Sequence, residues 1–207
     1  MKIYIVPNRE KIKKLRGEDG GRPSHIFAKH CICDYLSRRP EKTEITYAYN
    51  EYGKPFIADI LTEEGLKIDI PIFFSLSHSG NMLMCAVASA NVGADCQQHT
   101  LDDERARRIS DRFYTREERL FLASADSADD YLRLFFAIWA RKEAYIKFTG
   151  RGISEGLTSF SSVLGDEFAE TVGEARYYTQ MREFEGYSLA VCIQRDNQNK
   201  TEVKIYD

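Results

Sequence analysis

Trp139-Ala-Arg-Lys-Glu-Ala-Tyr-Ile-Lys147 lies inside residues 131–148, the longest stretch of helical pattern in the chain, which contains neither Gly nor Pro. Thr149-Gly-Arg-Gly152 stops it, because a Gly beyond the last turn adopts the left-handed conformation that closes a helix. Trp139, Glu143 and Lys147 recur at i, i+4 and i+8 and share one face. On spacing alone, Glu143 and Lys147 form a solvent-facing pair that stabilises a helix by ~0.2–0.5 kcal/mol. The neighbours argue otherwise. Leu132, Leu134, Phe135, Phe136, Ile138 and Trp139 make the helix too apolar for a solvated element, and charges on a buried helix must find partners or face a cleft.

Working outward, residues 102–113 and 116–123 read as short helices rich in Arg and Glu, and residues 124–130 as an acidic loop. Residues 174–181, 187–194 and 201–206 read as strands. Upstream, residues 2–6 and 44–49 are strands, with a helix over residues 25–36 after the Gly-rich stretch 17–21. Asn50-Glu-Tyr-Gly-Lys-Pro55 is a turn punctuated by Gly53 and Pro55. Residues 68–76 are apolar and extended, and residues 82–88 and 92–96 are strands joined by Ser89-Ala-Asn91 as a tight hairpin. The expected class is α+β, with mostly antiparallel strands in two similar halves, 1–97 and 98–207, packed together without a linker. Asn81-Met-Leu-Met-Cys-Ala-Val87 and Tyr187-Ser-Leu-Ala-Val-Cys-Ile193 resemble one another weakly, as an internal duplication would require.

Composition sets the outer limits. The 207 residues are 43% hydrophobic and 29% charged, with 12 Tyr and 12 Phe, which excludes disorder as the main state. No apolar run approaches the ~20 residues that span a bilayer. Met1-Lys-Ile-Tyr-Ile-Val-Pro7 lacks the longer apolar core of a signal peptide, so a cytoplasmic setting is expected. The five Cys are few and scattered, and Cys31-x-Cys33 has neither the spacing nor the second pair of a zinc site. Residues 1–50 carry 11 Lys and Arg against 6 Asp and Glu, whereas the remainder carries 18 against 26. The basic excess, Arg9, Lys11, Lys13, Lys14, Arg16 and Arg22, is either a solvated face or a funnel for a polyanionic small molecule or an acidic protein. The acidic total and the absence of a nucleic-acid motif argue against a nucleic-acid partner.

Two further stretches hold reactive side chains. Val92-Gly-Ala-Asp95 ends an apolar strand on a carboxylate. It is a surface Asp opening a loop, or one of the hard oxygen ligands of a Mg²⁺ ion that keeps waters and binds substrate phosphates. Phe74-Ser-Leu-Ser77-His78-Ser79-Gly80 places hydroxyls and an imidazole in a turn, suited to phosphate oxygens or simply to capping backbone groups. A Ser–His hydrolase is the weaker alternative, since no G-x-S-x-G elbow is present.

These pieces stand in an order that resembles the Sfp-type 4′-phosphopantetheinyl transferases. They are Glu51-Tyr-Gly-Lys-Pro55, Phe74-Ser-Leu-Ser-His-Ser-Gly80, Val92-Gly-Ala-Asp95, Arg112-Phe-Tyr with Glu117 and Glu118, and Trp139-Ala-Arg-Lys-Glu-Ala-Tyr-Ile-Lys147 with Gly150-Arg-Gly-Ile153. The last block, W-x-x-K-E-A-x-x-K-x-x-G-x-G, is the most specific, and the likeness runs from about residue 44 to residue 194. The resemblance implies two α+β halves related by a pseudo-twofold axis. The implied reaction moves 4′-phosphopantetheine from coenzyme A to a serine of an apo acyl or peptidyl carrier protein and releases 3′,5′-ADP. It implies Mg²⁺ held by Asp95 and Glu143, with Glu143 also the base for the serine proton, directly or through a metal-bound water. Lys147 would neutralise the diphosphate or assist the leaving group, Ser77 and His78 would touch phosphate, and Lys54 would lie beside the nucleotide. Trp139 reads as core, and Lys142 as a surface contact without a catalytic role. The implied partners are coenzyme A and an acidic, helical carrier domain, for a monomeric enzyme.

Two departures from the family pattern stand out. Most members read Asp-x-Glu where this chain reads Asp95-Cys96-Gln97. Gln97 can still offer a carbonyl oxygen to the metal or to its water but brings no charge, and Gln98 and Asp102 are nearby substitutes. The stretch before Glu51 is shorter than in the surfactin-type members, which leaves Lys11, Lys13, Lys14, Arg16, Arg22 and His25 all open as contacts for the 3′-phosphate. Against transfer stand two other expectations. One is a degenerate copy that binds coenzyme A or carrier without turnover, and the other a Mg²⁺-phosphohydrolase that cleaves pyrophosphate with no carrier present.

Overall fold

The computed structural model describes residues 1–8, 23–152, 156–178, 184–194 and 200–206. Arg9, Lys11, Lys13, Lys14, Arg16, Arg22, the Gly-rich stretch 17–21 and residues 179–181 of the expected strand lie outside them. The elements are β1 (Lys2–Val6), α1 (Pro23–Tyr35), β2 (Thr43–Tyr49), β3 (Pro55–Thr62), β4 (Phe73–Ser79), β5 (Met82–Ala88) and β6 (Val92–Gln98). They continue with α2 (Asp103–Phe113), α3 (Arg116–Ala123), α4 (Ala128–Thr149), β7 (Val163–Leu164), β8 (Glu167–Phe168) and β9 (Thr171–Val172). The last three are β10 (Ala175–Tyr177), β11 (Tyr187–Gln194) and β12 (Glu202–Ile205). The class is α+β, as expected.

Two four-stranded sheets carry the fold, ordered β12-β1-β5-β4 and β6-β11-β10-β9, beside the hairpins β2-β3 and β7-β8. Alternation builds the layers. On β5, Met82, Met84, Ala86 and Ala88 join Ile3 and Ile5 of β1 and meet Val92, Ala94 and Cys96 of β6 between the sheets. The opposite face of β5, Leu83, Cys85 and Val87, packs on Phe27, Ala28, Cys31 and Ile32 of α1. Both faces of β5 are therefore covered, which explains its unbroken apolar run. On the outer side of the second sheet, α4 lays Ala140, Ala144 and Phe148 against Ala190 and Cys192 of β11. Gly93 permits that approach, since a Cβ there would stand 2.0 Å from the carbonyl oxygen of Ala144.

The sequence expectation fails at two connected points. Ser89-Ala-Asn91 is not a hairpin turn, because β5 pairs with β1 and β4 whereas β6 pairs with β11. The segment carries the chain from one sheet to the other. Nor is Phe74–Gly80 a turn, since residues 73–79 form β4. Its serines alternate because they make the corner between the sheets. Ser75, Ser77 and Ser79 accept the backbone N–H groups of Ala94 (3.0 Å), Cys96 (3.3 Å) and Gln98 (3.0 Å) through their hydroxyl oxygens. Side-chain oxygens thus replace backbone carbonyls along the neighbouring edge of β6 and satisfy its buried donors.

The helix ends follow local chemistry. α4 begins three residues before the expected start because Ser127 caps the amide of Asp130 at 3.1 Å, drawing part of the acidic loop into the helix. It ends at Gly150, whose φ of 70° is left-handed. The sheets also trade strands. β12 lies parallel to β1, and β6, from before residue 97, joins the second sheet. β5 and β11, the two segments of similar sequence, each lie second from the corner.

Candidate active site

At the corner the odd positions of β6 face α4, so the alternation that buries Ala94 and Cys96 between the sheets turns Gly93, Asp95 and Gln97 toward the helix. Asp95 is 2% exposed. Its Oδ1 accepts from Lys147 Nζ at 2.6 Å and from the Ser77 hydroxyl at 2.7 Å, and its Oδ2 accepts from Gln97 Nε2 at 2.9 Å. Residues from β4, β6 and α4 thus converge on one carboxylate.

Glu143 lies one turn before Lys147 and lines the same cleft of about 270 Å³, walled by the 52–55 turn, by Phe74, Ser75 and Leu76 of β4, and by Ile146 and Gly150. Its carboxylate has no hydrogen-bond partner among the described residues. Burial pushes its carboxyl up, the charge of Asp95 adds to the rise, and Lys147 works against it. Among the described residues no group of three or more His, Cys, Asp or Glu side chains could hold a metal. A hard divalent cation nonetheless fits the donor chemistry: a buried carboxylate and a half-buried one that share the single charge of Lys147, an amide, and room for water or phosphate oxygens.

The roof of the cleft is tied to the C-terminus of α4. Asn50 donates its side-chain N–H to the carbonyl of Gly150 at 2.8 Å, and its Oδ1 accepts from the amides of Tyr52 and Lys54. Lys54 Nζ donates to Phe148 O at 3.2 Å and to Asn91 Oδ1 at 3.1 Å, while Asn91 Nδ2 donates to the same Phe148 oxygen at 2.8 Å. A cation at the negative end of the helix is favourable, and burial lowers the Lys54 ammonium to about 8. Lys54 lines the cleft but commits two donors to the protein.

The expected site residues separate into groups. Asp95, Gln97, Ser77, Glu143 and Lys147 come together at the corner. His78 does not join them: Ser77 is buried toward Asp95, and the exposed His78 lies on the opposite face of β4. Asp102 caps α2 through the amide of Arg105, and Gln98 lies beside Gly80. His25 stacks on Tyr47 with ring centroids 5.0 Å apart, and its Nε2 lies 3.2 Å from the Tyr49 hydroxyl.

Lys142 corrects the reading as a surface contact. It and Glu118 are both 0% exposed, with Nζ 2.7 Å from Oε1. The same Oε1 accepts from the amide (2.8 Å) and hydroxyl (3.0 Å) of Ser162, Oε2 accepts from the amide of Thr115 at 2.9 Å, and Lys142 also donates to Phe160 O at 2.7 Å. Thr115 and Glu118 form a capping box, so one carboxylate caps α3 and anchors α4. The sequence reading missed both, although the T-x-x-E spacing of Thr115 and Glu118 is a signal for the cap; nothing local marks the lysine. The three-serine ladder was equally missed, though its strict alternation was a strand signal.

Such a corner can neutralise charge on a phosphate ester and accept a proton beside it, which is the equipment of a group-transfer enzyme acting on a phosphorylated substrate. Residues 91–192 match the family described as the 4′-phosphopantetheinyl transferase superfamily. The chain is 30% identical over 198 residues to 4′-phosphopantetheinyl transferase Sfp of Bacillus subtilis (strain 168), covering 91% of this chain and 82% of that protein. It is 37% identical over 176 residues to 4′-phosphopantetheinyl transferase psf-1 of Bacillus pumilus, covering 82% and 69%. With ffp of Bacillus subtilis the identity is 31% over 205 residues, covering 94% and 84%. The chain belongs to the 4′-phosphopantetheinyl transferase superfamily.

Proposed function

We propose that this enzyme transfers 4′-phosphopantetheine from coenzyme A to a serine of an apo acyl or peptidyl carrier protein. The serine oxygen bonds to the pantetheine-side phosphorus, the bond from that phosphorus to the bridging oxygen breaks, and 3′,5′-ADP leaves. The observation that supports this best is the pair Glu143 and Lys147 lining one cleft at the corner of the sheets, with the buried Asp95 held by Lys147 behind it.

Phosphoryl transfer asks a protein mainly for positioning and charge neutralisation. Lys147, already beside Asp95, supplies a mobile positive charge for the diphosphate and for the oxygen that leaves. Glu143, without a hydrogen-bond donor among the described residues and with its carboxyl raised by burial, is the group to take the serine proton. Asp95 and Glu143, with Gln97 as a neutral third donor, would hold Mg²⁺, which when bound withdraws charge from the diphosphate. Lys54 and His78 are the remaining substrate contacts of this reading, whereas Ser77, expected among them, donates its hydroxyl hydrogen to Asp95. The two halves meeting near residue 97 would be related by a pseudo-twofold axis, which the matching places of β5 and β11 support. A monomer working in the cytoplasm completes the reading. Among the described residues no helix is long and apolar enough to cross a membrane.

The test is mass spectrometry of a panel of apo carrier proteins incubated with the enzyme, coenzyme A and Mg²⁺. A phosphopantetheine adduct on the carrier serine is expected, and unmodified serine across the panel refutes the reading. The degenerate binder is disfavoured, because Glu143 and Lys147 are both present and both line the cleft.

A further inference from the structure

The three serines at the corner are alike as acceptors and unlike as donors. A hydroxyl has one hydrogen and two lone pairs. Ser75 and Ser79 accept the amides of Ala94 and Gln98, and among the described residues their hydrogens go to no carboxylate. Ser77 accepts the amide of Cys96 and donates its hydrogen to Asp95 Oδ1 at 2.7 Å. Only this rung is tied to the carboxylate on which β4, β6 and α4 converge. Its residue is 6% exposed, and its only hydrogen is committed.

We propose that Ser77 is a positioning residue. It fixes the plane of the Asp95 carboxylate from the β4 side together with Gln97 from β6, while Lys147 of α4 supplies the compensating charge. This deepens the transferase reading and rests on it where it treats Asp95 as the group that receives the cation. Ser77 differs here from a phosphate contact, for which its hydrogen would have to leave Asp95. Oδ1 would then be held only by Lys147, whose four-carbon arm fixes no plane. A short hydrogen bond from a neutral hydroxyl to a carboxylate is of the strong, charge-assisted kind. Partners of this type, one step removed from the metal, carry about 10–100-fold in metal affinity or activity when removed.

The ladder supplies its own controls. Ser75→Ala, Ser77→Ala and Ser79→Ala each remove one acceptor from a β6 amide, so all three thermal midpoints should fall, that of Ser77→Ala furthest. Only Ser77→Ala removes a donor to Asp95. The full chain and its variants are titrated with Mn²⁺, followed by electron paramagnetic resonance. They are then assayed for transfer to an apo carrier, with kcat and the KM for coenzyme A determined separately. Ser77→Ala is expected to lose about 10–100-fold in Mn²⁺ affinity and in kcat, with Ser79→Ala, outside the cleft wall, near wild type in both. Ser77→Cys fills the same space with a weak donor and should show the same loss, which keeps the test open if the alanine variant does not fold. A Ser77→Ala protein that only raises the KM for coenzyme A overturns the proposal and makes Ser77 a phosphate contact. One that matches the Ser79→Ala control overturns it as well, while wild-type transfer leaves the transferase reading standing. Wild-type protein whose Mn²⁺ affinity falls with Ser77→Ala but which modifies no carrier refutes the transferase reading alone. Wild type that does neither refutes both.

Discussion

Replacing Lys142 by Met tests how α4 is held in register. Lys142 and Glu118 are wholly buried, and removing the ammonium leaves a carboxylate with three donors, the amide and hydroxyl of Ser162 and the amide of Thr115. Breaking one partner of a buried pair costs about 3–5 kcal/mol. The three remaining hydrogen bonds place Lys142→Met near the lower end, about 3 kcal/mol. Glu118→Gln keeps a side chain that can serve the capping box, yet whichever way the amide turns it sets an N–H against a donor. For 207 residues, an unfolding entropy of about 0.4 kcal/mol per kelvin converts 3–5 kcal/mol into about 7–12 °C of thermal midpoint. The double variant has no unpaired buried charge, so the cycle should return a coupling of about 2 kcal/mol, the pair being less damaging than the sum of its singles. Urea unfolding followed by fluorescence reads this cleanly, because Trp139 is the one tryptophan and its ring centroid lies 6.1 Å from that of Phe135. A Lys142→Met protein within 1 kcal/mol of wild type, on the scale of an exposed pair, or singles that add without coupling, would refute the reasoning.

Other outcomes follow from the same geometry. Glu143→Gln should lower kcat by about 10²–10⁴-fold and leave coenzyme A affinity nearly unchanged, read by steady-state kinetics beside calorimetry. Gly93→Ala would set a Cβ 2.0 Å from Ala144 O and 2.6 Å from Phe148 N. A loss of about 2 kcal/mol or more in urea unfolding, together with lost turnover, is expected because α4 must back away. Gln97→Glu exchanges a donor to Asp95 for a like charge; the variant should unfold at lower temperature without Mg²⁺ and gain more from added Mg²⁺ than wild type does. Burial raises the Asp34 carboxyl, but hydrogen bonds from Lys204, Tyr4 and Lys2 outweigh it and hold it at about 2. A carboxyl depressed on folding stabilises above its unfolded value near 4, and that contribution fades as pH falls toward 2. At a side chain 35% exposed, screening reduces it to about 1 kcal/mol. The stability gap between wild type and Asp34→Asn should therefore shrink from pH 5 to pH 2.

Period and punctuation carried most of the element reading. Gly150 closed the long helix where expected, and β1, β11 and α3 were legible from apolar spacing and caps. What failed was partnership. Ser89–Asn91 had the length of a hairpin, but nothing local says that β5 prefers β1 to β6. β4 read as a turn because three serines and a histidine suggested polarity, although serines at every second position are what a corner strand shows when it satisfies the amides of a neighbour. β3 was missed between a turn and a polar loop. At the site, Asp95, Glu143 and Lys147 were legible as residue types at helix and strand spacings. That Gln97 faces Asp95 through its nitrogen, or that Lys142 meets Glu118 across 24 residues, depends on tertiary contacts no spacing encodes.

The parallel pairing of β12 with β1 has a consequence for biogenesis. β1, made well before β12, keeps one edge open until that strand is made, and the nitrogen of Met1 donates to Lys200 O at 3.0 Å only then. At ~5–20 residues per second, synthesis leaves that edge waiting for roughly 10–40 seconds. A nascent chain in this interval is a template for strand addition by other chains. Chaperone demand, and the loss of soluble protein when the final strand is clipped, should both trace to that wait.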